Sequence, residues 1–234
     1  MIARPPQALI FDFDGVLIES EYEGNAHIAR YLSGIGHPTS PAESMAKFMG
    51  LAGDEFIGAI ETHIGRALPD DFHAARAAED ARVMAAGVGA VEGAIRFVRA
   101  LPRDLPRAIA SSSTTRWIRR HLDHIGLADD FGDMIFSGRE HVTRGKPAPD
   151  IYLHAAAALG VPIEACAILE DSPVGATGAV ASGAYVIGLC AGSHCDADHA
   201  ERLRAIGVDA TASNFPEVAR LLMLSRTQPG LRNL

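Results

Sequence analysis

Cysteine is scarce. Cys166, Cys190 and Cys195 are the whole complement, an odd set without CxxC spacing, which argues against a disulfide framework or a zinc ribbon. Lysine is scarcer, with Lys47 and Lys146 alone while arginine is used freely. No long basic block is present, and a net charge of −8 with a pI near 5.6 argues against nucleic acid or an anionic membrane as the main partner. No apolar stretch reaches membrane-spanning length, and no signal-peptide h-region precedes the first apolar strand, so a soluble cytoplasmic protein is expected. The oligomeric state is not legible. A hydrophobic share of 48% over 234 residues supports one large domain, or a domain carrying an inserted second one.

The chain is organised around Leu9-Ile10-Phe11-Asp12-Phe13-Asp14-Gly15-Val16-Leu17. Its apolar first half reads as a strand buried on both faces of a parallel sheet. Two carboxylates and a glycine then follow. Open α/β sheets gather ligands outside the carboxyl ends of their strands. Two like charges this close are hard to keep ionised without a cation, and a hard divalent ion such as Mg²⁺ removes the conflict. A strand running into a polar Asp-Gly turn is the plain alternative.

Beyond Leu17 the periodicity predicts helices only. Ile28, Leu32 and Ile35 mark the first, 41–49 and 54–65 follow, and an alanine-rich segment runs from Asp70 to Ala86. From Gly87 the chain alternates helix and strand, which implies a parallel sheet with right-handed crossovers. A helix around Val91–Leu101 leads to strands at Arg107–Ala110, Met134–Phe136, Ala165–Leu169 and Tyr185–Leu189. Helices are expected at 114–125, 149–159, 173–182, 197–206 and 216–224, and a frayed tail at 225–234. The expected fold is therefore α/β, a doubly wound parallel-sheet (Rossmann-like) core of residues 1–18 and 88–234. A helical cap, 19–87, is inserted where it can act as a lid.

Three later strand ends carry polar groups. Ser111-Ser112-Ser113 joins hydroxyls and N–H groups to a helix N-terminus, which suits a phosphate but equally suits simple capping. Gly145-Lys146-Pro147-Ala148-Pro149-Asp150 retains a lysine in a chain that prefers arginine, as a site wanting a compact point charge would. Leu169-Glu170-Asp171-Ser172 ends a buried strand in two more carboxylates, although Asp171 or Ser172 alone could cap the next helix. Four carboxylates with one lysine and one hydroxyl, and no His or Cys, suit Mg²⁺ better than zinc. The run His194-Cys195-Asp196-Ala197-Asp198-His199 fits no standard zinc spacing and reads as a polar loop leading into a helix. Trp117 reads as core packing.

These motifs, in this order, resemble the haloacid dehalogenase-like superfamily, and within it the β-phosphoglucomutase/phosphatase-like members with a helical cap after the first motif. The resemblance spans nearly the whole chain, including Gly175, and Glu19-Ser20 stands where the family more often has Asp-Ser. It implies Asp12 as the nucleophile that becomes an aspartyl-phosphate, Asp14 as general acid and base, and Ser111 with the Ser112 N–H as phosphoryl ligands. Lys146 would neutralise nucleophile and phosphate. Mg²⁺ would sit on Asp12, the Asp14 carbonyl, Asp171 and Glu170. The implied activity is Mg²⁺-dependent hydrolysis of a small phosphorylated metabolite, a sugar phosphate being the leading class. Asp14 disfavours dehalogenation, and Lys47, placed upstream of Met49-Gly50-Leu51, disfavours phosphonate cleavage. A sugar phosphomutase is the alternative, yet Gly24 and Gly53 stand where such mutases carry a cap His and Arg, leaving His27 and Arg66 as the available substitutes. A regulatory protein without turnover is the remaining reading, disfavoured by the full motif set. Substrate choice is expected of the loop around Met49–Ala52 and of the helix bearing Glu21, Glu23 and Asn25.

Overall fold

The computed structural model describes residues 4–48, 51 and 53–224. Most of the expected Met49–Ala52 specificity loop and the 225–234 tail lie outside the described residues. Internal contacts divide the chain into two units, Met1–Glu19 with Gly89–Leu234, and Ser20–Val88.

In the α/β unit, the buried apolar runs become strands β1 (Ala8–Phe11), β2 (Arg107–Ser111), β3 (Ile135–Ser137), β4 (Cys166–Glu170) and β5 (Tyr185–Leu189). A sixth, β6 (Ala210–Ala212), was not expected. It is three residues long and pairs with β5 from Ile187↔Ala210 to Leu189↔Ala212, too short to leave a period-2 signal. All pairings are parallel, in the order β3-β2-β1-β4-β5-β6. Strand order reverses between β1 and β4, the position at which doubly wound sheets open a crevice. Asp12 and Glu170–Asp171 emerge from these two strands.

The helical unit comprises α1 (Ser20–Gly34), α2 (Pro41–Phe48), α3 (Gly53–Ile64) and α4 (Phe72–Ala86). Ile28, Leu32, Phe48, Ile60, Ile64 and Phe72 form its own core, with no strand among the described residues. Asn25 is turned into this unit, where its Oδ1 accepts from Ser44 Oγ at 3.1 Å. In this structure that side chain braces α1 against α2.

The remaining helices are α5 (Ala94–Ala100), α6 (Thr115–Ile125), α7 (Ala128–Phe131), α8 (Asp150–Leu159), α9 (Pro173–Ser182), α10 (His199–Ile206) and α11 (Phe215–Leu221). Alternation along the strands splits the core. Ala8, Ile10, Ala108, Ala110, Cys166, Ile168 and Val186 meet α8 and α9, whereas Phe11 meets Phe97 of α5 and Phe131 of α7 edge-on at 6.3 and 5.6 Å.

Candidate active site

Beyond β1 the backbone stays in register for one residue, the Asp12 N–H donating to Leu169 O at 2.9 Å. Asp12 thereby stands beside Glu170. The chain then turns at Gly15, whose φ of +78° suits glycine. A Cβ on Gly15 would also lie 2.0 Å from Asp171 Oδ2, so this turn needs glycine twice over.

Lys146 fills the space between the two strand ends. Its Nζ donates to Asp12 Oδ1 at 2.5 Å and to Glu170 Oε2 at 2.8 Å, with only 4% of the side chain exposed. Glu170 is fully buried and fully engaged. Tyr152 Oη donates to Oε2 at 2.5 Å, while the Ser172 N–H and Oγ donate to Oε1 at 3.0 and 2.8 Å. Ser172 Oγ in turn accepts the Gly175 N–H, so one hydroxyl caps α9 and braces the carboxylate.

Asp14 forms a second focus. Its Oδ2 accepts from Ser113 Oγ at 2.6 Å and Ser111 Oγ at 3.4 Å, and its Oδ1 accepts from Trp117 Nε1 at 3.0 Å. Trp117 is thus not simply core packing. It lies in the first turn of α6, which begins just past the end of β2, and its indole reaches back to the sheet edge. Ser112 is exposed.

Asp171 is 2% exposed and is held by the segment read as a polar loop. His194 Nε2 lies 2.8 Å from Asp171 Oδ2, and His199 Nε2 lies 2.6 Å from the Asp171 carbonyl. Both imidazoles are buried. The run is a loop leading into α10, as its sequence suggests, and it folds back over the β4 end.

Burial is the largest influence on Asp12 and raises its pKa well above the ordinary carboxylate value. Repulsion from Glu170 adds to this and attraction to Lys146 opposes it. Burial also penalises ionised Glu170, but the Lys146 ammonium and the hydrogen bonds from Lys146, Tyr152 and Ser172 outweigh it and lower its pKa. For Lys146, burial disfavours the cation, yet Asp12 and Glu170 overcome it and raise the pKa. Two buried carboxylates thus share one ammonium, with buried Asp171 beside them. Asp12, Glu170 and Asp171 each offer an oxygen within 4.8 Å of the others, all buried. An all-oxygen set carrying surplus negative charge fits a hard divalent cation.

His194, Cys195 and His199 also place possible ligand atoms within 4.8 Å of one another. They do not make a second metal site as folded. The His199 Nε2–H donates to the Asp171 carbonyl, and its Nδ1 accepts from Arg202 Nη2 at 3.1 Å, which occupies both nitrogens. Burial, followed by the Asp171 charge, pushes the Cys195 thiol far up, away from the thiolate a metal needs.

Gly175 supplies a test of this packing. A Cβ there would fall 2.1 to 2.4 Å from the Glu170 carboxylate, which is pinned on both oxygens. Gly→Ala within a helix ordinarily stabilises by about 0.5–1 kcal/mol. Here the sign is expected to reverse, with Gly175→Ala destabilising the α/β unit by about 1–3 kcal/mol, read as a lowered thermal midpoint. An unchanged or raised midpoint would contradict the geometry.

Residues 6–183 match the model of the family described as haloacid dehalogenase-like hydrolase. The chain belongs to the haloacid dehalogenase-like hydrolases. It is 29% identical over 190 residues to 6-phosphogluconate phosphatase of Escherichia coli, spanning 80% of this chain and 84% of that one. It is 28% identical over 224 residues to validoxylamine A 7'-phosphate phosphatase of Streptomyces hygroscopicus subsp. limoneus, spanning 89% and 96%. A solved HAD family hydrolase from Deinococcus radiodurans, with bound phosphate and sodium, is similar at a TM-score of 0.86 and 30% identity, covering 96% of this chain and 98% of that one.

Proposed function

We propose that this protein is a Mg²⁺-dependent phosphatase that hydrolyses a small phosphorylated metabolite of carbohydrate type through an aspartyl-phosphate on Asp12. The observation that carries this reading is the buried Asp12–Lys146–Glu170 cluster at the β1/β4 switch point, beside Asp171 and Ser111. The relatives named 6-phosphogluconate phosphatase and validoxylamine A 7'-phosphate phosphatase support the substrate class. A cytoplasmic setting, expected from the sequence, is part of the reading.

In this reading Asp12 attacks phosphorus while the ester oxygen leaves, taking a proton from Asp14. Asp14 then accepts a proton from water. That water attacks phosphorus, the Asp12 O–P bond breaks, and inorganic phosphate is released. Ser111 Oγ and the Ser112 N–H bind phosphoryl oxygens, and Lys146 balances the charge of Asp12 and of the incoming group. Mg²⁺ would be held by Asp12, Asp171 and the Asp14 carbonyl, and when bound it neutralises phosphoryl charge. Glu170 has both oxygens committed inside the protein, so it acts mainly by fixing Lys146. The helical unit carries the choice of substrate.

Trp117 is the one tryptophan of the chain, and in this mechanism it orients Asp14. A hydrogen bond to a charged group contributes ~1.5–3 kcal/mol. Trp117→Phe is therefore expected to lower kcat about tenfold or more with KM nearly unchanged. Steady-state kinetics giving wild-type kcat would remove this role.

The test of the function is phosphate release from a panel of phosphorylated metabolites, with Mg²⁺ and with chelator. Metal-dependent release from a sugar or polyol phosphate is expected. Isomerisation of a sugar phosphate without release would replace the phosphatase by a mutase, and the absence of any turnover by folded, metal-loaded protein would overturn the reading.

A further inference from the structure

The chain between β5 and α10 contributes nothing to the mechanism above, yet it is tied down at three points. Ser193 donates to the Glu19 carboxylate from its N–H at 2.9 Å and its Oγ at 2.6 Å. His194 Nε2 meets Asp171 Oδ2 at 2.8 Å, and the next turn brings His199 Nε2 to the Asp171 carbonyl at 2.6 Å. Asp171 is therefore gripped at side chain and main chain by two imidazoles, one from the loop and one from the first residue of α10.

Space for this grip is built in. A Cβ on Gly15 would lie 2.9 Å from His194 Cε1, and a Cβ on Gly192 would lie 2.5 Å from the same atom and 2.6 Å from Nδ1. The imidazole occupies a slot between two residues without side chains, and is only 4% exposed. Histidine in such a slot has few rotamers, so its N–H is a fixed donor. Glu19 anchors the loop at the residue where the α/β unit gives way to the helical insert, and its own N–H donates to Gly89 O at 3.0 Å.

We propose that His194 is a positioning residue for the metal centre, clamping the Asp171 carboxylate in one orientation through Oδ2. This rests on the reading above that Asp171 is a ligand of the divalent cation. Hydrogen-bonded partners that orient a ligating group raise metal affinity, and their removal typically weakens it ~10–100-fold. His199 and the Glu19–Ser193 contact hold the loop that carries His194.

The experiment is calorimetric titration of the full chain with Mg²⁺, for wild type, His194→Ala, His194→Leu and His194→Gln. Leucine fills the slot without a donor, whereas glutamine restores an N–H. Mg²⁺ affinity is expected to fall ~10–100-fold in His194→Ala and His194→Leu and to return within about threefold of wild type in His194→Gln. At saturating Mg²⁺ the weakened variants should recover most of their kcat, whereas at limiting Mg²⁺ they should not. Equal affinity in wild type and His194→Ala overturns the proposal alone. If His194→Ala does not fold, equal affinity in the leucine and glutamine variants overturns it. Failure of wild type to bind any divalent cation overturns both the proposal and the metal reading beneath it.

Discussion

Asp12→Asn is expected to abolish phosphate release, by ~10⁴-fold or more, and at the same time to stabilise the metal-free α/β unit. The two effects have one cause. Asp12 sits where burial and Glu170 disfavour its charge, so an ionised carboxylate there is useful to chemistry and costly to the fold. The sign follows from proton counting. The folded pKa of Asp12 is raised above 3.8, so above that value the native state retains a proton the unfolded state has released, and stability falls as pH rises through the folded value. Asparagine removes this loss. The gain should be small near pH 4 and grow toward neutrality, measured as denaturation midpoints in chelator across pH. A destabilised Asn variant at neutral pH would show that the carboxylate is not under the repulsion described.

Lys146→Met is expected to produce the opposite stability effect with the same loss of activity. It leaves Asp12 and Glu170 buried without their ammonium, and breaking a buried pair costs ~3–5 kcal/mol. Glu170 has a folded pKa below 4.5, held down chiefly by Lys146 against burial. Its ionised form therefore contributes stability above that value, lost as pH falls through the folded pKa. The destabilisation in Lys146→Met should be full at neutral pH and shrink toward pH 4. Added Mg²⁺ should restore part of the lost midpoint, because a divalent cation supplies the missing positive charge. Thermal melts with and without Mg²⁺ measure this, and wild-type stability in chelator would contradict it.

The arrangement of the sheet was legible because a strand buried on both faces must be a continuous apolar run, and five such runs end at or within one residue of their expected positions. Most motif residues were legible because Asp12, Ser111 and Glu170–Asp171 stand at strand ends that the parallel order brings to one edge, whereas Lys146 comes from the loop between β3 and α8 and was marked by its residue type. Shorter elements escaped for lack of periodicity. β6 is three residues held by main-chain pairing to β5, and α7 is a single turn. The helix expected from Val91 begins at Ala94 because Gly93 is left-handed, with φ +83°.

The supporting groups were illegible for a different reason. Trp117 reaches Asp14 across 103 residues, and His194 reaches Asp171 from a separate loop. Such contacts depend on how a helix start or a loop folds back over the sheet edge, and residue type favours the bland assignment in each case. Tyr152 was similarly hidden. Its position in the first turn of α8 fits core packing, and only the folded chain shows its hydroxyl donating to Glu170. One signal was available. The sole tryptophan, placed in the first helical turn after the serine run, carries an N–H donor close to the strand end where the carboxylates gather.

The most direct test of the mechanism is a rapid acid quench of the protein turning over p-nitrophenyl phosphate with Mg²⁺, followed by peptide mapping by mass spectrometry. The expected result is an alkali-labile phosphoryl group on the peptide carrying Asp12, absent from Asp12→Asn and from samples incubated with substrate in chelator before the acid quench. Phosphate release without such a group, or a phosphoryl group on Ser111 instead, would contradict Asp12 as the nucleophile.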